Sequence, residues 1–214
     1  MKYYILNKYL AALSGLFLIL FLTGHLIGNL QLLIPQSGGA QKIFNDYAHF
    51  MSTNPAVKVL SITTYIAIIS HVLVTIALTI DSRRKRPQGY KYQSSKTNSP
   101  SAKYMGILGT TILAFLIIHL SNFWYKAKFE GETDIYFLVV NKFQHLDHVI
   151  IYIIAMLAIF LHVLHGFSSG FQSLGLITSK TRKYFKILGM LYALLIPLLF
   201  AIIPIYIYLG FHLR

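Results

Sequence analysis

Five of the nine histidines in this chain, His25, His71, His119, His162 and His165, fall inside long apolar segments. A single histidine in such a segment is ordinarily a hydrogen-bonded packing residue. Here four different segments each carry one at a comparable depth. At about 1.5 Å of rise per residue, His25 lies roughly 25 Å along its helix from Lys8. His71 counted from Pro55, His119 from Lys103 and His162 from His148 each lie roughly 21–24 Å along theirs. Successive membrane helices alternate in direction, so His25 and His119 share one layer and His71 and His162 share another. The layers stand roughly 15–20 Å apart along the membrane normal. Two imidazoles facing each other across a bundle, with nothing else ionisable nearby, suit the two axial positions of a haem iron. Zinc asks for three or four clustered ligands instead. The absence of Asp and Glu from the apolar segments argues against a carboxylate-based pump, and a cysteine count of 0 removes thiolate sites, iron–sulfur ligation and disulfides.

The elements that must position these residues are membrane spans. Of the 214 residues, 56% are hydrophobic and only 12% are charged, against about 25% charged in an ordinary soluble domain. Too few charges remain to cover a water-facing surface. A cytosolic globular enzyme, a disordered protein and a nucleic-acid binder are thereby excluded, despite the net charge of +13. A span needs about 20 predominantly apolar residues, and five segments qualify, over about residues 8–34, 55–80, 103–125, 148–171 and 184–208. Pro55 is well placed at a helix start. Pro197 and Pro204 lie inside the fifth segment, where membrane helices tolerate them. The first segment is too long for a secretory leader and lacks a small-residue cleavage site, so it reads as a retained helix. With no internal repeat, residues 1–214 read as one all-α transmembrane domain.

Charge sets the expected orientation. One side of the membrane would hold Lys2, Lys8, Arg83, Arg84, Lys85, Arg86, Lys91, Lys96, Lys103, Lys180, Arg182, Lys183 and Lys186, opposed only by Asp81. The other side would hold Lys42, Lys58, Lys126, Lys128, Lys142 and Arg214 against five acidic residues. The positive-inside rule then puts the N-terminus inside and the C-terminus outside. The basic face would meet anionic lipid and offers a docking surface to a soluble partner.

Small residues flank the histidines at helical spacing. Ala155, Ala158, Gly166 and Ser169 share the face of His162, Thr64, Ala67 and Thr75 flank His71, and Gly28 follows His25. Such residues either leave room for a flat macrocycle or pack helices closely. His165 projects to a face near that of His162, as an alternative ligand or a partner for a haem propionate. His145 and His148 flank Asp147 and read as an interfacial polar cap, with His212 an interface residue.

Thr23-Gly24-His25-Leu26-Ile27-Gly28-Asn29 resembles the first-helix ligand motif of the membrane cytochrome b subunit of bacterial succinate:quinone oxidoreductases. Phe44-Asn45-Asp46-Tyr47-Ala48-His49-Phe50-Met51 before Pro55 resembles the connection leading to its second helix. Ile118-His119-Leu120 and His162-Val163-Leu164-His165-Gly166, with Gly175 beyond, resemble its third- and fourth-helix motifs. The resemblance implies a five-helix diheme anchor of succinate dehydrogenase or fumarate reductase in the bacterial cytoplasmic membrane, a respiratory-chain component bordering the tricarboxylic acid cycle. It implies two haem b groups, the outer on His25 and His119 and the inner on His71 and His162. It also implies a flavoprotein subunit with FAD and an iron–sulfur subunit docked on the basic inner face, and a membrane quinone, menaquinone being the expected one. Succinate chemistry would occur on the flavoprotein. Asn29, Asp46 and His49 are the polar candidates for the quinone site. The alternatives are a diheme subunit serving nitrate, formate or hydrogen oxidoreduction, and a haem-free transporter.

Overall fold

The computed structural model describes residues 2–84 and 104–213. Seven helices are named here in chain order: α1 (Lys2–Asn29), α2 (Ala40–Thr53), α3 (Pro55–Arg84), α4 (Met105–His119), α5 (Ile135–Phe143), α6 (Leu146–Ser173) and α7 (Arg182–Tyr208). A π-helical turn over Leu120–Trp124 carries α4 on into Tyr125–Phe129. Among the described residues there is no strand. Five helical segments are long and apolar enough to cross a membrane: Tyr4–Leu33, Pro55–Ser82, Met105–Phe129, Leu146–Ser173 and Arg182–Tyr208. The architecture is that of a multi-pass membrane protein.

The spans run somewhat beyond the limits set by hydropathy. α3 continues to Arg84 and α6 begins at Leu146, so Asp81 and Asp147 lie in the terminal turns of helices. Local chemistry explains the starts and stops. Asn54 Oδ1 accepts hydrogen bonds from the N–H groups of Ala56 and Val57 at 2.9 and 3.3 Å, with Pro55 as the first helical residue. This satisfies two of the donors that a helix start leaves open. At the end of α6, Gly175 takes φ 75° while Leu176 N–H donates to Phe171 C=O at 3.1 Å, which closes the helix in a Schellman manner. α7 continues through both Pro197 and Pro204, each buried.

α6 is the centre of the bundle. It packs along α1, α4 and α7, while α1 packs along α3 and α7. Ala155 on α6 and Ala193 on α7 are 1% and 0% exposed within one apolar cluster, so these small residues bring the helices together. Large side chains point outward instead, among them Ile62, Ile66, Ile69 and Leu73 of α3. Such a surface suits lipid and would be untenable in water.

α2 and α5, which the hydropathy reading passed over as connections, form a roof across one end of the bundle. Phe44 of α2 and Tyr136, Val139, Val140 and Phe143 of α5 are buried with Leu32, Tyr152, Ile203 and Ile207. Asp134, the N-cap of α5, ties the roof together. Its carboxylate accepts from Gln41 Nε2 at 2.6 Å, Asn45 Nδ2 at 2.9 Å and Phe137 N–H at 2.9 Å. Asn45 Oδ1 in turn accepts from Tyr136 N–H at 2.9 Å. Burial works to raise the pKa of Asp134, but hydrogen bonds from Asn45, Phe137 N–H and Gln41 outweigh it and hold the carboxyl below its ordinary value.

Candidate functional site

The four histidines meet as two pairs. The rings of His25 on α1 and His119 on α4 have centres 5.8 Å apart and planes crossed at 88°. The rings of His71 on α3 and His162 on α6 are 6.4 Å apart, crossed at 72°. Among the described residues, α1 and α4 have no extended packing contact with each other, nor do α3 and α6, nor α3 and α4. Each pair therefore reaches across a diagonal of the bundle between backbones that stand apart.

Three helices give the separation of the pairs independently. On α1, Ser14 touches His71 and His25 belongs to the other pair, eleven residues on. On α4, a Cβ at Gly109 would lie 4.0 Å from His162, ten residues before His119. On α6, Tyr152 bonds His119, ten residues before His162. At the helical rise these spacings correspond to roughly 15–17 Å.

The pairs are held differently. His71 Nδ1 lies 3.2 Å from the Ala11 carbonyl oxygen and 3.2 Å from Ser14 Oγ. A carbonyl can only accept, so Nδ1 donates to it and Nε2 keeps the lone pair. A Cβ at Gly15 would stand 3.0 Å from His71 Cε1, so this ring rests on the backbone of α1. His162 Nδ1 is buried without a hydrogen-bond partner. His119 Nδ1 lies 3.0 Å from the Tyr152 hydroxyl. His25 stacks on Phe21 at 5.6 Å and faces Phe200 at 5.7 Å, while Phe115 and Phe123 flank His119 at 5.7 and 5.4 Å. Phe115, Phe123 and Phe200 also pack against the roof cluster, so the His25/His119 pair is continuous with it.

Each pair thus supplies two imidazole donors and no other ligand type. Among the described residues there is no group of three or more His, Cys, Asp or Glu able to hold a metal ion by itself. A metal ion or haem iron bound between the rings of either pair would be held by one ring nitrogen from each helix. Gly24 and Gly166, one residue before His25 and four after His162, have open space where a Cβ would project. The residues present fit a metal held between ring pairs, with room on the helix faces beside them.

The remaining candidates separate clearly. The His162 ring, and not that of His165, meets His71; His165 is half-buried one turn away. Ala155 and Ala158 are consumed by helix packing, and Gly28 is filled by the Tyr47 hydroxyl, so none of these three leaves room for a macrocycle. Asn29 Nδ2 donates to the His25 carbonyl at 2.8 Å and lies beside that ring. Asp46 and His49 are exposed on α2, with Asp46 paired to Lys42, and the structure does not bring them to Asn29. His212, read as an interface residue, is 2% exposed and buried. Lys85, Arg86, Lys91, Lys96 and Lys103 of the basic face lie outside the described residues. Sequence reasoning missed Gly15, Gly109, Ser14 and Tyr152. The only available signals were a glycine inside a helix, which costs about 1 kcal/mol relative to alanine, and a tyrosine in a span, whose hydroxyl needs a partner. No family model matches this chain, nor does any curated protein or solved structure.

Proposed function

We propose that this chain is the membrane-anchor cytochrome b subunit of a succinate:quinone oxidoreductase, holding two b haems and linking an iron–sulfur partner to a membrane quinone. One observation carries the reading. Four helices each contribute one histidine, and the rings meet in two diagonal pairs, 5.8 and 6.4 Å apart, between helices that share no extended packing. Haem b bound between each pair would supply one-electron redox chemistry. His25 and His119 would hold one group, and His71 and His162 the other.

The chain's own residues account for the rest. The Ala11 carbonyl fixes the His71 tautomer with Nε2 free, the arrangement that metal-ligating histidines use. Gly15 and Gly109 let helix backbones approach the His71/His162 pair. Phe21, Phe115, Phe123 and Phe200 wall the other pair and exclude water from it. Lys8, Arg84, Lys180, Arg182, Lys183 and Lys186 lie at the end of the bundle nearer His71 and His162. That basic end is the inner face, where the iron–sulfur and flavoprotein subunits dock. The quinone then sits towards the opposite face, near His25, where Asn29 is the polar side chain beside the ring.

The decisive experiment is a dithionite-reduced minus oxidised spectrum of the purified native assembly, with haem counted per polypeptide. About two protohaems per chain are expected for bis-histidine sites of this kind. Protein without haem after adequate haem supply overturns the proposal. Co-purification of a flavoprotein and an iron–sulfur protein, with succinate-reducible haem, separates this reading from diheme subunits serving other respiratory enzymes.

A further inference from the structure

Tyr152 is 7% exposed and lies inside an apolar cluster. Its ring is clamped edge-on by Phe115 and Phe143, with centres 4.8 Å from each and interplanar angles of 87° and 83°. A phenylalanine would satisfy that packing. A buried hydroxyl costs free energy unless it is paired, and the hydrogen bond found for it is the one to His119 Nδ1 at 3.0 Å. The π-helical turn begins at Leu120, immediately after His119, and π-turns inside α-helices concentrate at functional sites. It carries Asn122 close to the same hydroxyl, and the Asn122 amide nitrogen is buried without a partner.

We propose that Tyr152 is the positioning residue of His119 and that it tunes the group held by the His25/His119 pair without touching it. This rests on the reading of the ring pairs as haem ligands. His119 Nδ1–H donates to the Tyr152 oxygen, which leaves Nε2 with the lone pair and free to act as a ligand. The Asn122 amide, set beside the same phenol oxygen, holds Tyr152 in place. An acceptor on the far nitrogen makes an imidazole a stronger ligand and fixes its tautomer. It therefore favours the oxidised metal. The His71/His162 pair uses the Ala11 carbonyl for the same purpose, so the two sites are tuned by different acceptors.

The test uses the purified haem-loaded assembly in redox titrations followed optically, with low-temperature electron paramagnetic resonance of each haem. Tyr152→Phe is expected to retain two haems while one midpoint potential rises. A tenfold change in that reduction equilibrium is expected, equivalent to about 59 mV for one electron. The component that moves should be the one missing from His119→Ala. Selective loss of that component in Tyr152→Phe supports the same role. Tyr192→Phe is the control, because its hydroxyl bonds Thr23 and the Ile19 carbonyl rather than an imidazole, and it should move neither component. If Tyr152→Phe does not fold, Asn122→Ala decides: a shift confined to the same component supports the proposal. Two unchanged potentials, or a shift only in the component that survives His119→Ala, overturn it. Unmutated protein without haem would overturn the ligand reading itself, before any variant is made.

Discussion

The two histidine pairs have the same residue types and nearly the same ring separation, yet they stand in unlike surroundings. His25 and His119 are walled by aromatic rings and roofed by α2 and α5. His71 and His162 rest on backbone, with the Ala11 carbonyl, Gly15 and Gly109 as neighbours, and no roof helix covers their end among the described residues. Identical donors can therefore be made inequivalent by what surrounds them. An aromatic wall removes water and leaves the ring to be set by one phenol. A backbone wall brings a carbonyl dipole to the ring and depends on the absence of a side chain.

The contrast predicts separable losses. The largest is His162→Ala, expected to halve the haem bound per chain while the His25/His119 spectrum persists; His165→Ala should retain both haems. The reverse pattern would transfer the role to His165. Gly15→Leu comes next, because its first side-chain carbon would stand 3.0 Å from His71 and the branches beyond must displace the ring. Haem between His71 and His162 should be lost and the other kept. Equal damage to both sites by Gly15→Leu would erase the distinction between the walls.

Smaller effects belong to the roof. Asp134→Ala removes an N-cap and two cross-helix bonds, and should destabilise the α2–α5 roof by about 1 kcal/mol. Hydrogen exchange should rise in α2 and α5, leaving the His71/His162 end unaffected. The pH dependence has a definite sign. The folded pKa of Asp134 is depressed, so its stabilisation is complete above the ordinary carboxylate pKa of about 4 and fades as pH falls through the lower folded value. A roof that instead loosened on raising the pH from 5 to 8 would contradict this. The smallest effect is expected for Thr23→Val, which removes the bond to Tyr192 at 2.8 Å between α1 and α7 together with the local one to the Ile19 carbonyl at 3.1 Å. Its cost should be near the roughly 0.6 kcal/mol average for such membrane bonds, measured by thermal unfolding in detergent, with both haem signals unchanged.

Much of this was legible along the chain. A span must be apolar for about 20 residues, so the number of spans followed from composition. A fixed rise per residue converts position into depth, and depth alone brings His25 beside His119 and His71 beside His162. The same arithmetic could not see the roof. α2 and α5 are short, and their apolar residues are buried against each other and against spans far away in sequence. Nor could it rank the aromatic residues, since 15 Phe and 15 Tyr make any one of them inconspicuous.

What the sequence by itself determined is therefore one-dimensional: where helices cross, how deep each histidine lies, and which end carries the positive charge. The tertiary structure alone decided which glycine admits a ring, which alanine closes a helix contact, and which tyrosine reaches an imidazole. Those outcomes depend on rotation of each helix about its axis and on neighbours distant in the chain. Hydropathy in lipid constrains rotation only weakly, because the apolar surface of a span is as acceptable to lipid as to another helix.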